Sequence, residues 1–162
     1  GKEIEMNENA RKRTIKIIYK LMSKYDDELL SGYHACVKKD YDSAQKIFLD
    51  RGFGNGLLYI ADRTAAKAHY TTNLNTPENE LDETMKRPLS IYRKLGDKKA
   101  IDFVASTYQK AGYEDTAKKL ESEDAKGDPD FSYIKKDAEL YGEDQRIEII
   151  CDVVVGMLKE KY

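Results

Sequence analysis

The sequence predicts an all-α fold: antiparallel helical hairpins forming an irregular bundle or a short solenoid. Three observations lead there. Apolar residues recur at spacings of three and four along most of the chain, the period of an amphipathic helix. Strand-like alternation is almost absent. Proline occurs only at Pro77, Pro88 and Pro129. With 162 residues, a single domain is expected, burying about 70% of the unfolded chain's surface if compact. A softer boundary is expected at the loop 122–131, ahead of the C-terminal helices.

The elements follow in order. Ala10, Thr14, Ile17, Ile18, Leu21 and Tyr25 form one stripe of a first helix, with Asn7 or Asn9 as its cap. A second helix is expected over Asp27–Lys38 and a third over Asp42–Arg51, stopped by Gly52. Gly54 and Gly56 mark the next turn. The helix after it packs through Leu57, Ile60, Ala61, Thr64, Ala65 and Ala68. Thr76 followed by Pro77 reads as a cap with proline in the first turn, where its missing N–H costs nothing. Pro88 is expected to interrupt that helix or open another, because Arg87 before it is pushed away from the helical region. Gly96-Asp97 and Gly112-Tyr113 are corners between helices, and "SEDAKGDPDFS" is a loop. A final helix is expected over Asp144–Lys159. Its "IEIICDVVVGML" places Ile147, Ile150, Cys151, Val154 and Leu158 on one side and Ile149 and Val153 on the other. A helix apolar on two sides is central in a core or contacts a partner.

Composition narrows the function classes. Charged residues make up 36% of the chain and apolar residues 40%, so there is much surface per unit of core. That suits an elongated helical shape or a thermophile's ion-pair-rich surface. The net charge of −2 does not indicate a generic binder of nucleic acid or anionic membrane. No apolar run approaches the roughly 18 residues of a spanning helix. The polar N-terminus carries no signal-peptide core, and Cys36 and Cys151 do not make a disulfide framework. A cytoplasmic, reduced setting is the expectation.

Two segments repeat a pattern, "GYHACVKKDYDSAQKIF" and "FVASTYQKAGYEDTAKKL". Each is a helix, a corner with a tyrosine, then an early alanine in the next helix. Helices approach closely at a corner only where one side is small, and Ala44 and Ala117 supply that. These residues resemble the tetratricopeptide repeat, a helix–turn–helix unit of about 34 residues that stacks into a solenoid. Gly32, Tyr41, Ala44 and Phe48 match its small and aromatic positions. In the second copy Ile101, Val104, Ala105, Tyr108, Ala117 and Pro129 match. Glu28, Arg51 and Glu121 depart from the pattern, and the resemblance covers about half the chain. It implies a scaffold that holds a peptide or partner protein on a concave face.

Chemistry-bearing motifs are sparse. His34 and Cys36 are two apart and point in different directions on a helix. Structural zinc needs four converging N/S ligands, and His34, His69, Cys36 and Cys151 are the only His and Cys residues. No metal and no cofactor is expected. "GFGNG" lacks the preceding strand of a phosphate-binding glycine loop and reads as a turn between helices. "RTAAKAH" sets Arg63 six residues before His69, which resembles the signature of HEPN-type helical ribonucleases. "DYDSAQKIFLDRG" resembles the opening of a hairpin in that family. The resemblance implies RNA cleavage without metal, with Arg63 stabilising phosphate charge and His69 moving the proton. On an unbroken helix, however, six residues turn through about 240°, and the two side chains diverge.

Charge is patterned in two stretches. Lys86, Arg87, Arg93, Lys94, Lys98 and Lys99 are basic; Glu121, Glu123, Asp124, Asp128 and Asp130 are acidic. The reading that follows is a non-enzymatic helical scaffold for protein–protein or peptide interaction. Its partner-contacting residues are Arg87, Arg93 and Lys94 on the basic stretch, and Ile149 and Val153, through which the chain would also self-associate as a homodimer. No membrane partner is expected. The basic stretch 86–99 is where a nucleic-acid backbone would dock. The rival reading is the metal-independent ribonuclease using Arg63 and His69.

Overall fold

The structure, a computed structural model, describes residues 31, 32, 34–36 and 38–134. Its elements there are helical, without a β-strand. Five α-helices follow one another: α1 (Tyr41–Arg51), α2 (Gly54–Thr71), α3 (Glu78–Leu95), α4 (Lys98–Lys110) and α5 (Glu114–Glu121), then a 3₁₀ turn at Pro129–Phe131. The expected helix at Ala10–Tyr25 and the final helix at Asp144–Lys159, with Cys151, Ile149 and Val153, lie outside the described residues. The described residues fall into two compact units that divide between Gly56 and Leu57. The loop 122–131, expected as a softer boundary, lies wholly within the second.

In the first unit, residues 31, 32 and 34–36 are helical, and Lys38 and Lys39 form the turn that follows. Asp40 caps α1, its Oδ1 accepting the Ser43 N–H at 3.3 Å. Those hydrogen bonds hold its carboxyl below the usual carboxylate range. Gly52 ends α1 in the left-handed conformation. The packing centres on Phe48, which is fully buried with Ala44. A methyl group placed on Gly32 or on Gly56 would come within 2.5 Å of the Phe48 ring. The turn expected at Gly54 and Gly56 is therefore not there. Both glycines stand in the first turn of α2, and Gly56 is needed because a ring occupies the space of its side chain.

The second unit is built from α2 onward. Leu57, Ile60, Ala61, Ala65 and Ala68 of α2 are buried, as the stripe predicts; Thr64 is half-buried. The end of α2 has no glycine. The hydroxyl of Thr72 donates to Ala68 O at 2.5 Å and that of Thr71 to Lys67 O at 2.9 Å. From α4, Lys110 Nζ donates to His69 O at 2.6 Å. Ala68 O also accepts the Thr72 N–H at 2.9 Å, so side chains supplement the main-chain bonds of the last turn.

The start of α3 differs from expectation by one position. Pro77 itself occupies the cap, and the Thr76 hydroxyl instead accepts the Asn73 N–H at 3.0 Å. Pro88 does not interrupt α3. It lies inside one continuous helix, and Arg87 before it is helical. An interior proline costs about 3 kcal/mol in helix terms. Leu81, Met85, Leu89, Ile91 and Tyr92 of the same helix are all buried, each contributing about 1.5–3 kcal/mol when fully buried. Packing on both sides of Pro88 outweighs the local penalty. Gly96 closes α3, and Asp97 opens α4 by accepting the Ala100 N–H at 3.2 Å. Helix α4 packs against both α3 and α5, and Ile101, Val104 and Ala105 of α4 and Ala117 and Leu120 of α5 are all buried.

Replacing Gly56 with alanine tests the Phe48 junction. Helix propensity alone would gain about 1 kcal/mol. Displacing a fully buried ring typically costs about 1–3 kcal/mol. We expect the thermal midpoint of Gly56→Ala to fall, and Phe48→Leu in the same chain to recover part of the loss. An unchanged midpoint would show that the ring moves aside freely.

Candidate functional site

The charged and apolar residues of α3 are not scattered around it. Asp82, Lys86, Leu89, Ser90, Arg93 and Lys94 recur at three and four residues and line one side of an open cleft of about 720 Å³. Tyr108 of α4 forms part of its floor, and Gly127, Asp128 and Pro129 form the opposite wall. All of these residues belong to the second unit.

The wall is held by main chain. The Asp128 N–H donates to Lys94 O at 3.0 Å, an acceptor exposed by the end of α3. Gly96 has φ +67, and a Cβ there would lie 2.9 Å from Gly127 N. Two requirements meet at Gly96, a left-handed backbone and a close backbone neighbour, and only glycine meets both. Arg93 ties the preceding part of the loop down. Its Nε donates to both carboxylate oxygens of Glu123, at 3.1 and 3.2 Å, and its Nη2 lies 2.8 Å from Glu123 Oε1. Both side chains are partly exposed, so the pair contributes at most about 1 kcal/mol. Lys94 Nζ sits 4.9 Å from the centroid of the Phe131 ring, a cation–π contact that covers the end of the wall.

The floor is anchored by a hydroxyl on a carboxylate. Tyr108 OH donates to Asp82 Oδ1 at 2.5 Å. Burial first, and then the hydrogen bond to Asp82, push the Tyr108 phenol far above its ordinary value. Tyr92 repeats the device one layer away, donating to Asp62 Oδ1 of α2 at 2.5 Å, and it too is raised strongly by burial and then by that bond. The two tyrosines tie α3 to its neighbours on both sides.

Of the basic residues singled out in the sequence, Arg93 and Lys94 line the cleft and Arg87 does not; it is half-buried elsewhere on α3. Ile149 and Val153 lie outside the described residues. Arg63 and His69 share α2, which has no break between them. Arg63 Nη1 donates to Tyr59 OH at 3.2 Å, with its guanidinium 5.4 Å from the Tyr59 ring centroid. His69 Nδ1 lies 2.7 Å from Thr107 Oγ1 of α4, and its ring is 4.8 Å from that of Phe103. The structure gives the two residues separate partners on an unbroken helix and does not bring them together. Among the described residues no group of three His, Cys, Asp or Glu is placed to hold a metal, and no helix is long and apolar enough to cross a membrane. Cys36 is buried and takes part in no disulfide.

The sequence reading missed Asp82, Leu89, Ser90 and Tyr108 as cleft residues. The spacing on α3 was visible, but nothing local says that residues 127–129 return to face it. Comparison with known proteins finds no family model that matches the chain, no matching curated protein and no matching solved structure.

Two measurements check this geometry. Tyr92 and Tyr108 keep their protons to higher pH in the folded chain than in the unfolded one. The native state therefore binds more protons above about pH 10, the ordinary phenol value, and stability falls as pH rises through that range. We expect the thermal midpoint to drop steeply there, and the slope to flatten in Tyr92→Phe and Tyr108→Phe; an unchanged slope would contradict the buried phenol–carboxylate ties. Gly96→Ala adds a left-handed backbone penalty of about 1–2 kcal/mol to a backbone clash. It should lower the midpoint and speed hydrogen exchange at the Asp128 amide more than at the amides of α4. Equal exchange at Asp128 in both chains would mean that the wall is not pinned at Gly96.

Proposed function

We propose that the chain is a non-enzymatic helical scaffold that docks an extended peptide of a partner protein in the cleft on α3. The observation that carries this reading is the cleft itself. Its volume of about 720 Å³ falls in the range of specific ligand sites, roughly 300–1,000 Å³. Its lining on α3 runs from Asp82 to Lys94, so a chain can be accommodated along that helix. It offers an apolar spot at Leu89, a hydroxyl at Ser90 and cations at Lys86 and Lys94, the mixture that fixes side chains one by one.

A tetratricopeptide-like organisation is supported by the two corners that carry the resemblance. Ala44 and Ala117 are both buried, where close helix approach requires a small residue. A cytoplasmic setting fits a Cys36 that takes part in no disulfide.

The reading is tested by selecting peptides from a displayed random library on the full chain, then measuring the enriched peptides by titration calorimetry. Ser90→Trp places an indole in the cleft from a half-exposed position, so folding is unaffected and circular dichroism checks that. The selected peptides should bind wild type and lose at least about tenfold in affinity, 1.4 kcal/mol, to Ser90→Trp. Peptides that bind both chains equally dock elsewhere and overturn the assignment, as does a selection that enriches nothing.

A further inference from the structure

The charges of the cleft are unequal in what already holds them. Asp82 accepts the Tyr108 hydroxyl at 2.5 Å. Asp128 accepts the Asp130 N–H at 3.0 Å and so caps its own turn. Arg93 is occupied by Glu123. Lys86 and Lys94 have no carboxylate partner among the described residues, and Lys94 rests only against the Phe131 ring. Both acids of the cleft are exposed but already accept a hydrogen bond, and the two charges without a partner are both positive.

We infer, on the footing of the docking reading above, that the partner segment is acidic: an extended peptide with two carboxylate side chains four residues apart and an apolar side chain midway between them. The spacing comes from geometry. Lys86 and Lys94 are eight residues apart on α3, about 12 Å along its axis. An extended chain advances about 3.3 Å per residue and its side chains alternate between two faces, so four residues span that distance and return to the same face. Leu89 lies between the two lysines in the sequence and reaches the cleft lining with 9% of its surface exposed, a shallow contact for the intervening apolar side chain. A nucleic-acid backbone fits less well, because its charges repeat at every residue whereas the two lysines without a partner are eight residues apart.

The test uses two fluorescein-labelled peptides with the full chain, one centred on Glu-Ser-Leu-Ser-Glu and one on Gln-Ser-Leu-Ser-Gln, read by fluorescence anisotropy. The Glu peptide should bind wild type about tenfold more tightly than the Gln peptide. The difference should vanish in the Lys86→Gln, Lys94→Gln double variant and should shrink with added salt. Lys118→Gln, an exposed lysine on α5, should leave it unchanged. Equal affinity of the two peptides, no binding of the Glu peptide, indifference to the double variant, or displacement by a labelled oligouridylate through the same lysines would each overturn the inference. The Ser90→Trp chain separates the two levels. Equal Glu and Gln affinities that are both lost in Ser90→Trp leave the docking reading standing without charge selection. Equal affinities that survive it remove both.

Discussion

Buried tyrosine hydroxyls seated on acceptors of a neighbouring helix or loop hold the second unit together. Tyr92 reaches Asp62, Tyr108 reaches Asp82, and Tyr113 donates to the carbonyl of Thr76 at 2.5 Å. Tyr92 and Tyr108 put a large ring into the core, with 1% and 2% of their surface exposed, while a hydrogen bond satisfies the polar end. This chain is rich in charge and thin in core, so its helices cannot rely on apolar area alone. A ring contributes burial, and a short bond to a carboxylate fixes where that ring sits. The bond also specifies register, because a tyrosine moved one turn along α4 would leave Asp82 without its donor and the hydroxyl buried without an acceptor.

The cleft is a by-product of that stitching. Asp82 accepts from Tyr108, and Lys86, one turn further along α3, has no carboxylate partner among the described residues. The last carbonyls of α3 then take up the returning loop at Asp128. Each of these acts is structural, and together they leave two cations without a carboxylate partner on α3, with the buried Leu89 between them in the sequence. The acidic stretch seen in the sequence is partly spent in cis, since Glu123 holds Arg93 and the main-chain oxygen of Glu121 accepts from Lys98 at 2.5 Å.

What could be read in advance was whatever depends on a few neighbouring residues. Gly52 and the corners at Gly96-Asp97 and Gly112 were legible because left-handed stops are local chemistry, whereas the cap at Asp40 was not named, the helix being expected from Asp42. Pro88 was misread because the local rule is sound but weaker than the burial of five apolar side chains on its own helix. Gly54 and Gly56 were misread because glycine signals either a bend or a close neighbour, and only the position of Phe48 decides between them. The separation of Arg63 from His69 was legible from helix geometry alone, given an unbroken α2. The cleft was not, since its far wall comes from residues more than thirty positions beyond Lys86 in the chain. Its Arg93 and Lys94 could be named from charge, but Tyr108 and Ser90 could not.

The contact between Gly96 and Gly127 has an architectural corollary. The chain leaves that point, builds α4 and α5, and comes back to it, so everything between is an excursion with a common origin and terminus. Closing a segment of about thirty residues costs on the order of 3 kcal/mol in chain entropy. The pinch at the two glycines fixes the ends, while Tyr108 to Asp82, Tyr113 to Thr76 and Lys110 to His69 fasten the middle. A lengthened or shortened excursion would therefore keep its place only if those three ties stayed in register with the helices before it.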